Sequence, residues 1–255
     1  MTYNKPMVVA KADLKMALQV RYVKYSLIFA GLIGPIMAIG LVVFMVTQAP
    51  PEILVLMIPL LTPFLAPMLG LFAIIPTTLI SANALVGERE MKTMEPLLCT
   101  PLTDRELLWG KTLGSVIPSF AILFGSTIVT MIASAIAFLS VGLDPMLIPD
   151  IPGLFLLVTS VPLMIFAIVG LMIIVSGSVT RVYEAYQSSS FVVFVFMIPI
   201  FLPMMNMANI GTGSSMADAA WFANLITLLI TGILFVVFWS IAFKQFNRDR
   251  LVSMV

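Results

Sequence analysis

The chain has 255 residues, of which 61% are apolar and only 10% charged, with 13 Lys and Arg against 12 Asp and Glu. A soluble domain carries about a quarter charged residues and just under half apolar ones. A mean hydropathy of +1.14 therefore excludes a solvated globular domain, a disordered chain and a nucleic-acid-binding protein, and points to an all-α polytopic membrane protein. The absence of histidine removes Ser-His-Asp triads, HExxH zinc sites, haem–histidine ligation and histidine proton relays. The lone Cys99 removes an intrachain disulfide and any Cys-cluster metal site.

Residues 1–24 carry Lys5, Lys11, Lys15, Arg21 and Lys24. They lack a long apolar core and a small-residue cleavage site, so they read as a retained N-terminal segment rather than a removable signal peptide. As a helix, 6–21 divides its apolar residues between a Val9/Met16/Val20 stripe and a Met7/Leu14/Leu18 stripe, with Lys11 beside the second, so its amphipathicity is weak. The uncharged stretches that follow predict six membrane helices near 25–47, 54–82, 113–140, 153–177, 187–206 and 222–243. Each has the roughly 20 apolar residues needed to cross about 30 Å of hydrocarbon.

The polar segments alternate in charge. The N-terminal segment, the second loop (Arg89, Lys92, Arg105, Lys111), the fourth loop (Arg181) and the C-terminal tail (Lys244, Arg248, Arg250) hold all 13 basic residues. The first, third and fifth loops carry only Glu52, Asp144, Asp150 and Asp218. Basic residues are retained on the cytoplasmic side, so both tails are expected there. One missed or false span would break the alternation.

No predicted span contains Asp, Glu, Lys or Arg at membrane depth. Such residues cost about 2.5–3.5 kcal/mol each to insert and are kept mainly for ion or proton work. Their absence argues against a proton-coupled carrier, a pump core or a voltage sensor. The second span holds Pro59, Pro63, Pro67 and Pro76, and others sit at Pro35, Pro118, Pro162, Pro199 and Pro203. These fit simple kinks re-satisfied by neighbouring helices, or a bundle with broken helices that changes shape. Residues 206–220 are small and polar, which predicts an external or re-entrant segment. Met197, Met204, Met205 and Met207 are soft donors of the kind that bind Cu(I). Without histidine or a cysteine pair, packing is the better account of the 19 methionines.

The second loop is the richest segment, with five of the 12 acidic and four of the 13 basic residues between Gly87 and Lys111. Glu88 and Lys92 are spaced i,i+4 in the favourable order. A first helix should stop near Glu95, because the residue before Pro96 is pushed out of the α region. Pro101 breaks the chain again. Thr103-Asp-Arg-Glu106 is a capping box, so a second helix is expected from about Asp104 through Trp109 into the third span. The product is a charged helical hairpin tipped by Leu97, Leu98 and Leu102. A solvated connector has little need of two prolines and an apolar tip, whereas a tip that enters a partner's groove does.

The run Gly87-Glu-Arg-Glu-x-x-Thr-Met-Glu-Pro-Leu-Leu-x-Thr-Pro-Leu-Thr, followed by Glu106-Leu-Leu-x-Gly-Lys111, resembles the cytoplasmic signature of ABC-2 type transporter permeases of the type V exporter-like class. It is most similar to the bacterial and archaeal permeases of sodium- and drug-efflux systems. The resemblance implies one transmembrane domain over 1–255, N-in and C-in. Its parts are a cytoplasmic or interfacial segment 1–24, two spans within 25–82, a coupling hairpin 83–111 and two spans within 112–177. A cytoplasmic loop 178–186, two spans within 187–243 and a tail 244–255 complete it. It implies a homodimer in the cell membrane joined by two copies of an ABC ATPase subunit, which would carry the ATP and Mg; this chain would hold no cofactor. Coupling residues would be Glu88, Arg89, Glu90, Thr93, Glu95, Leu97, Leu98, Pro101 and Leu102. Arg181, Tyr183 and Glu184 are either a second contact or a salt-bridged helix end.

Asn206, Asn209, Thr212 and Ser214 are candidate pathway residues, which packing or capping explains equally well. Gly110-Lys111-Thr112 lacks the strand and glycine spacing of a phosphate loop, so no ATPase activity is expected of the chain alone. The implied function is export by alternating access. Competing classes are a gradient-driven carrier or channel, a non-transporting sensor or scaffold, and an intramembrane enzyme. The last would need a nucleophile or paired carboxylates at membrane depth. Nothing in the residues selects a substrate.

Overall fold

The computed structural model describes residues 5–48, 50–87, 90, 103–177, 179, 181–205 and 216–245. Backbone amides cannot go unpaired in hydrocarbon, so a chain this apolar closes its hydrogen bonds within helices. The described residues form α1 (Lys5–Gln19), α2 (Arg21–Gln48), α3 (Pro51–Ala82), α4 (Asp104–Ser140), α5 (Ile151–Phe155), α6 (Val161–Ser176), α7 (Val182–Ile200), α8 (Leu202–Met205) and α9 (Met216–Gln245). Two π-turns interrupt them, Asn83–Gly87 after α3 and Leu156–Ser160 between α5 and α6. The second lies just before Pro162, which has no amide to donate to the carbonyl one turn back.

Six helical stretches are long and apolar enough to cross a membrane: Arg21–Gln48, Pro63–Ala82, Arg105–Ser140, Ile151–Ser176, Val182–Met204 and Asp218–Lys244. These are the six expected spans with shifted ends. At α4 the second hairpin helix and the third span form one rod of 37 residues, about 55 Å long. Because that exceeds the hydrocarbon thickness of about 30 Å, part of the rod projects beyond it. Prolines 59, 63, 67 and 76 leave α3 helical throughout. Of the polar segment 206–220, Met216–Ala220 are the first turns of α9, and 206–215 lie outside the described residues.

α3 is the axis of the bundle. It packs against α2, α4, α6 and α7, and 72% of its apolar window is buried, against 22% for α9. Leu65, Leu69 and Ile74 on α3 join Leu108, Leu123 and Phe138 of α4 and Phe196 of α7 in one buried core, while Ile80 packs with Ala17 of α1 and Val23 of α2. Buried hydroxyls on α4 mostly bond back into their own helix, as in Thr112 to the Leu108 carbonyl (2.8 Å) and Thr127 to Leu123 (2.7 Å). Thr77 of α3 also donates to Ser119 of α4 at 2.6 Å. Such bonds satisfy hydroxyls that lipid could not.

Candidate functional site at the hairpin root

Of the nine proposed coupling residues, Glu90 alone lies within the described residues; Glu88, Arg89, Thr93, Glu95, Leu97, Leu98, Pro101 and Leu102 lie outside them, as do Asn206, Asn209, Thr212 and Ser214. The structure does describe the root from which the hairpin projects. Three contacts define it.

The first is the start of α4. The Thr103 hydroxyl accepts from the Glu106 amide (3.3 Å) and the Glu106 carboxylate accepts from the Thr103 amide (2.8 Å), the reciprocal pair expected from the residues. Lys5 of α1 stands 3.9 Å from the same carboxylate. Thr103→Ala is expected to raise amide exchange in the first turn of α4 about fivefold, the loss of one cap. Exchange mass spectrometry resolved to residues 103–108 checks this.

The second contact joins the hairpin to the fourth loop. Glu90 accepts a hydrogen bond from the Val182 amide at 2.9 Å, 92 residues away in sequence. Arg181 occupies the N-cap position of α7 with no capping bond of its own, so the hairpin supplies the missing acceptor. A carboxylate there also opposes the positive end of the helix dipole. Glu184 lies in the first turn of α7, where its charge is likewise favoured, and Tyr183 is 76% exposed. One turn on, the Tyr186 hydroxyl reaches Asn83 Oδ1 at 3.5 Å, and its ring lies 5.1 Å from that of Tyr22.

The third contact was not legible as a pair. In the sequence Lys111 is a loop charge at the end of the hairpin motif, and nothing local links it to Asp13. Both are 3% exposed, with Lys111 Nζ 3.8 Å from Asp13 Oδ2. Lys111 also donates to the Ala84 carbonyl at 2.7 Å, inside the first π-turn. α1 can reach this point because α4 presents glycine. A Cβ on Gly110 would stand 2.6 Å from Val9 Cβ and 3.1 Å from the Pro6 carbonyl oxygen, and one on Gly114 would stand 3.3 Å from the Ala10 carbonyl oxygen. Gly110-x-x-x-Gly114 is thus a small-residue seat for a closely packed helix. One signal was available: Asp13 is the only acid in the first 51 residues, on a segment otherwise basic.

α1 explains its own weak amphipathicity. Its buried residues are Val9, Ala10, Asp13 and Ala17; Val9 and Ala10 lie against Gly110 and Gly114 of α4 and Ala17 packs with Val23 and Ile80, while Met16 of one apolar stripe and Met7 and Leu18 of the other stay exposed. The buried face takes only Val9 from the two stripes and is completed by Ala10, Asp13 and Ala17, which is why neither stripe marks it. Gly110-Lys111-Thr112 lies in the middle of continuous helix, without the loop of backbone amides that cradles phosphate.

These contacts gather one end of the bundle. Trp109 of α4 stacks on Trp239 of α9 (5.4 Å, 22°), whose indole donates to the Phe166 carbonyl at 2.9 Å. The opposite end is tied by Asn224 donating to the Pro152 carbonyl (2.7 Å) and by Phe155 against Trp221 (5.2 Å). The described basic residues belong to the first end; Asp144, Asp150 and Asp218 belong to the second.

No curated protein sequence matches the chain. A family model described as "ABC-2 family transporter protein" matches residues 7–251, which takes in α1, the hairpin, all six spans and most of the C-terminal tail. With a match that spans nearly every residue and six helices able to cross a membrane, this multi-pass chain belongs to the ABC-2 family of transporter proteins.

Proposed function

We propose that the chain is the membrane-spanning permease subunit of an ABC exporter in the cell membrane, working as a homodimer with two copies of a separate ATPase subunit. Both tails and the hairpin face the cytoplasm, following the basic residues. The ATPase pair binds ATP and Mg and closes on them; its motion displaces the hairpins, and the helices rearrange to expose a pathway alternately to either side.

The observation that carries this reading is the construction of the hairpin root. A solvated connector would need only its two chain ends. This one is tied to α7 through Glu90 and Val182, to α1 through Lys111 and Asp13, and to the end of α3 through Lys111 and Ala84. A push on the hairpin therefore reaches four helices. The apolar tip at Leu97, Leu98 and Leu102 supplies the contact, with Glu88, Arg89, Thr93, Glu95 and Pro101 around it. Arg181, Tyr183 and Glu184, exposed at the start of α7, would supply a second contact beside it. The uncovered Met7 and Leu18 stripe of α1 lies in the membrane interface with Lys11 and Lys15 toward lipid phosphate.

The test is Leu97→Asp with Leu98→Asp. Two carboxylates on a docking tip cannot enter an apolar groove without large desolvation costs. The variant is expected to lose its ATPase subunit on affinity purification yet elute from size exclusion in detergent like the unaltered chain. Normal recovery of the ATPase would remove the hairpin tip from the coupling role.

A further inference from the structure

A buried ion pair is a poor source of stability, since apolar side chains of similar volume hold two helices as well or better. Packing alone would seat α1 on α4, because Gly110 and Gly114 already bring Pro6, Val9 and Ala10 within contact. Yet Asp13 and Lys111 are both 3% exposed at this junction. What the charges add is the bond from Lys111 to the Ala84 carbonyl. A π-turn puts carbonyls out of the i→i+4 register, and such turns recur at functional positions in helices. This one, Asn83–Gly87, joins α3 to the hairpin. The ammonium that fixes it projects from α4 and is matched by a carboxylate from α1, so three elements meet at one charge pair.

Resting on the reading that the hairpin is the handle of the ATPase, we infer that Asp13 and Lys111 are positioning residues for coupling. Their ion pair pins the Ala84 carbonyl, so that the end of α3, the first turns of α4 and α1 move as one body when the hairpin is displaced. Without the pin, the first arm of the hairpin swings about the π-turn and the push dissipates there.

The experiment uses the permease–ATPase complex in lipid nanodiscs, unaltered and as the apolar pair Asp13→Leu with Lys111→Met. Hydrogen exchange is followed over residues 5–19, 74–87 and 104–115, with and without ATP plus vanadate. The unaltered complex is expected to change exchange in all three segments together. The apolar pair, which keeps α1 packed, is expected to retain its ATPase and ATP hydrolysis. Its 83–87 amides should exchange faster without nucleotide, and 5–19 and 74–82 should lose their response to nucleotide. Should the apolar pair fail to fold, the exchanged pair Asp13→Lys with Lys111→Asp keeps both charges but takes the ammonium off α4, and the same loss is expected. A native response from either folded variant would overturn the positioning role and leave the pair as packing. Failure of the unaltered chain to capture any ATPase would instead overturn the underlying reading, and this inference with it.

Discussion

Lys111→Met alone is expected to destabilise the protein by about 3–5 kcal/mol, the cost of leaving one half of a buried ion pair uncompensated. Two contacts are lost at once, the 3.8 Å ion pair to the Asp13 carboxylate and the hydrogen bond to the Ala84 carbonyl, and Lys111 is 3% exposed. Replacing the partner as well, with Asp13→Leu, removes the stranded charge, and most of the lost stability should return even though one more side chain has changed. Unfolding midpoints in mixed detergent micelles, for the two single variants and the double, give the cycle directly. Additive losses would show that the two residues do not act as a pair. The double variant should recover its fold while remaining mechanically deaf.

Gly110→Leu is the second large effect. An added Cβ would stand 2.6 Å from Val9 Cβ and 2.7 Å from Val9 Cγ1, with the Pro6 carbonyl oxygen at 3.1 Å. None of these is the free end of a flexible side chain, so α1 itself must move. Overpacking of this kind costs about 1–3 kcal/mol, and the gain in helix propensity on leaving glycine, about 1 kcal/mol, offsets only part of it. Displacement of α1 also pulls Asp13 from Lys111, which carries the cost upward toward that of the broken pair. The expected result is loss of amide protection over residues 5–19 and a lower unfolding midpoint. Gly125→Leu is the control, because a Cβ there meets nothing within 4 Å; it should leave protection over 5–19 unchanged and should not lower the midpoint.

What the residues disclosed and what they withheld divide along sequence separation. The spans followed from uncharged stretches of 20 or more residues, and the start of α4 followed from Thr103 and Glu106, three residues apart. Both are local, and both stand in the structure. The Glu90–Val182 bond spans 92 residues and the Asp13–Lys111 pair spans slightly more. Neither has a local signature, because a carboxylate near a basic loop is as well solvated as paired until the fold closes. The two apolar stripes of α1 were visible, but its buried face of Val9, Ala10, Asp13 and Ala17 depends in part on Gly110 and Gly114, a hundred residues away. The π-turn at Asn83–Gly87 has no proline to announce it; its stabilising donor comes from another helix. The hairpin could be recognised from its motif, therefore, while the parts that tie it to the spans are tertiary. Substrate choice has no such anchor in the described residues, where most buried hydroxyls are consumed by their own helices.

If the chain works with a separate ATPase, as proposed, the tagged chain recovered from its native membranes in mild detergent should bring that subunit with it. Mass spectrometry of the eluate should show an ABC ATPase subunit in equal amount to the permease. A chain that elutes alone, under conditions that keep other transporter complexes intact, would contradict the exporter reading and return the gradient-driven carrier and the membrane sensor to first place.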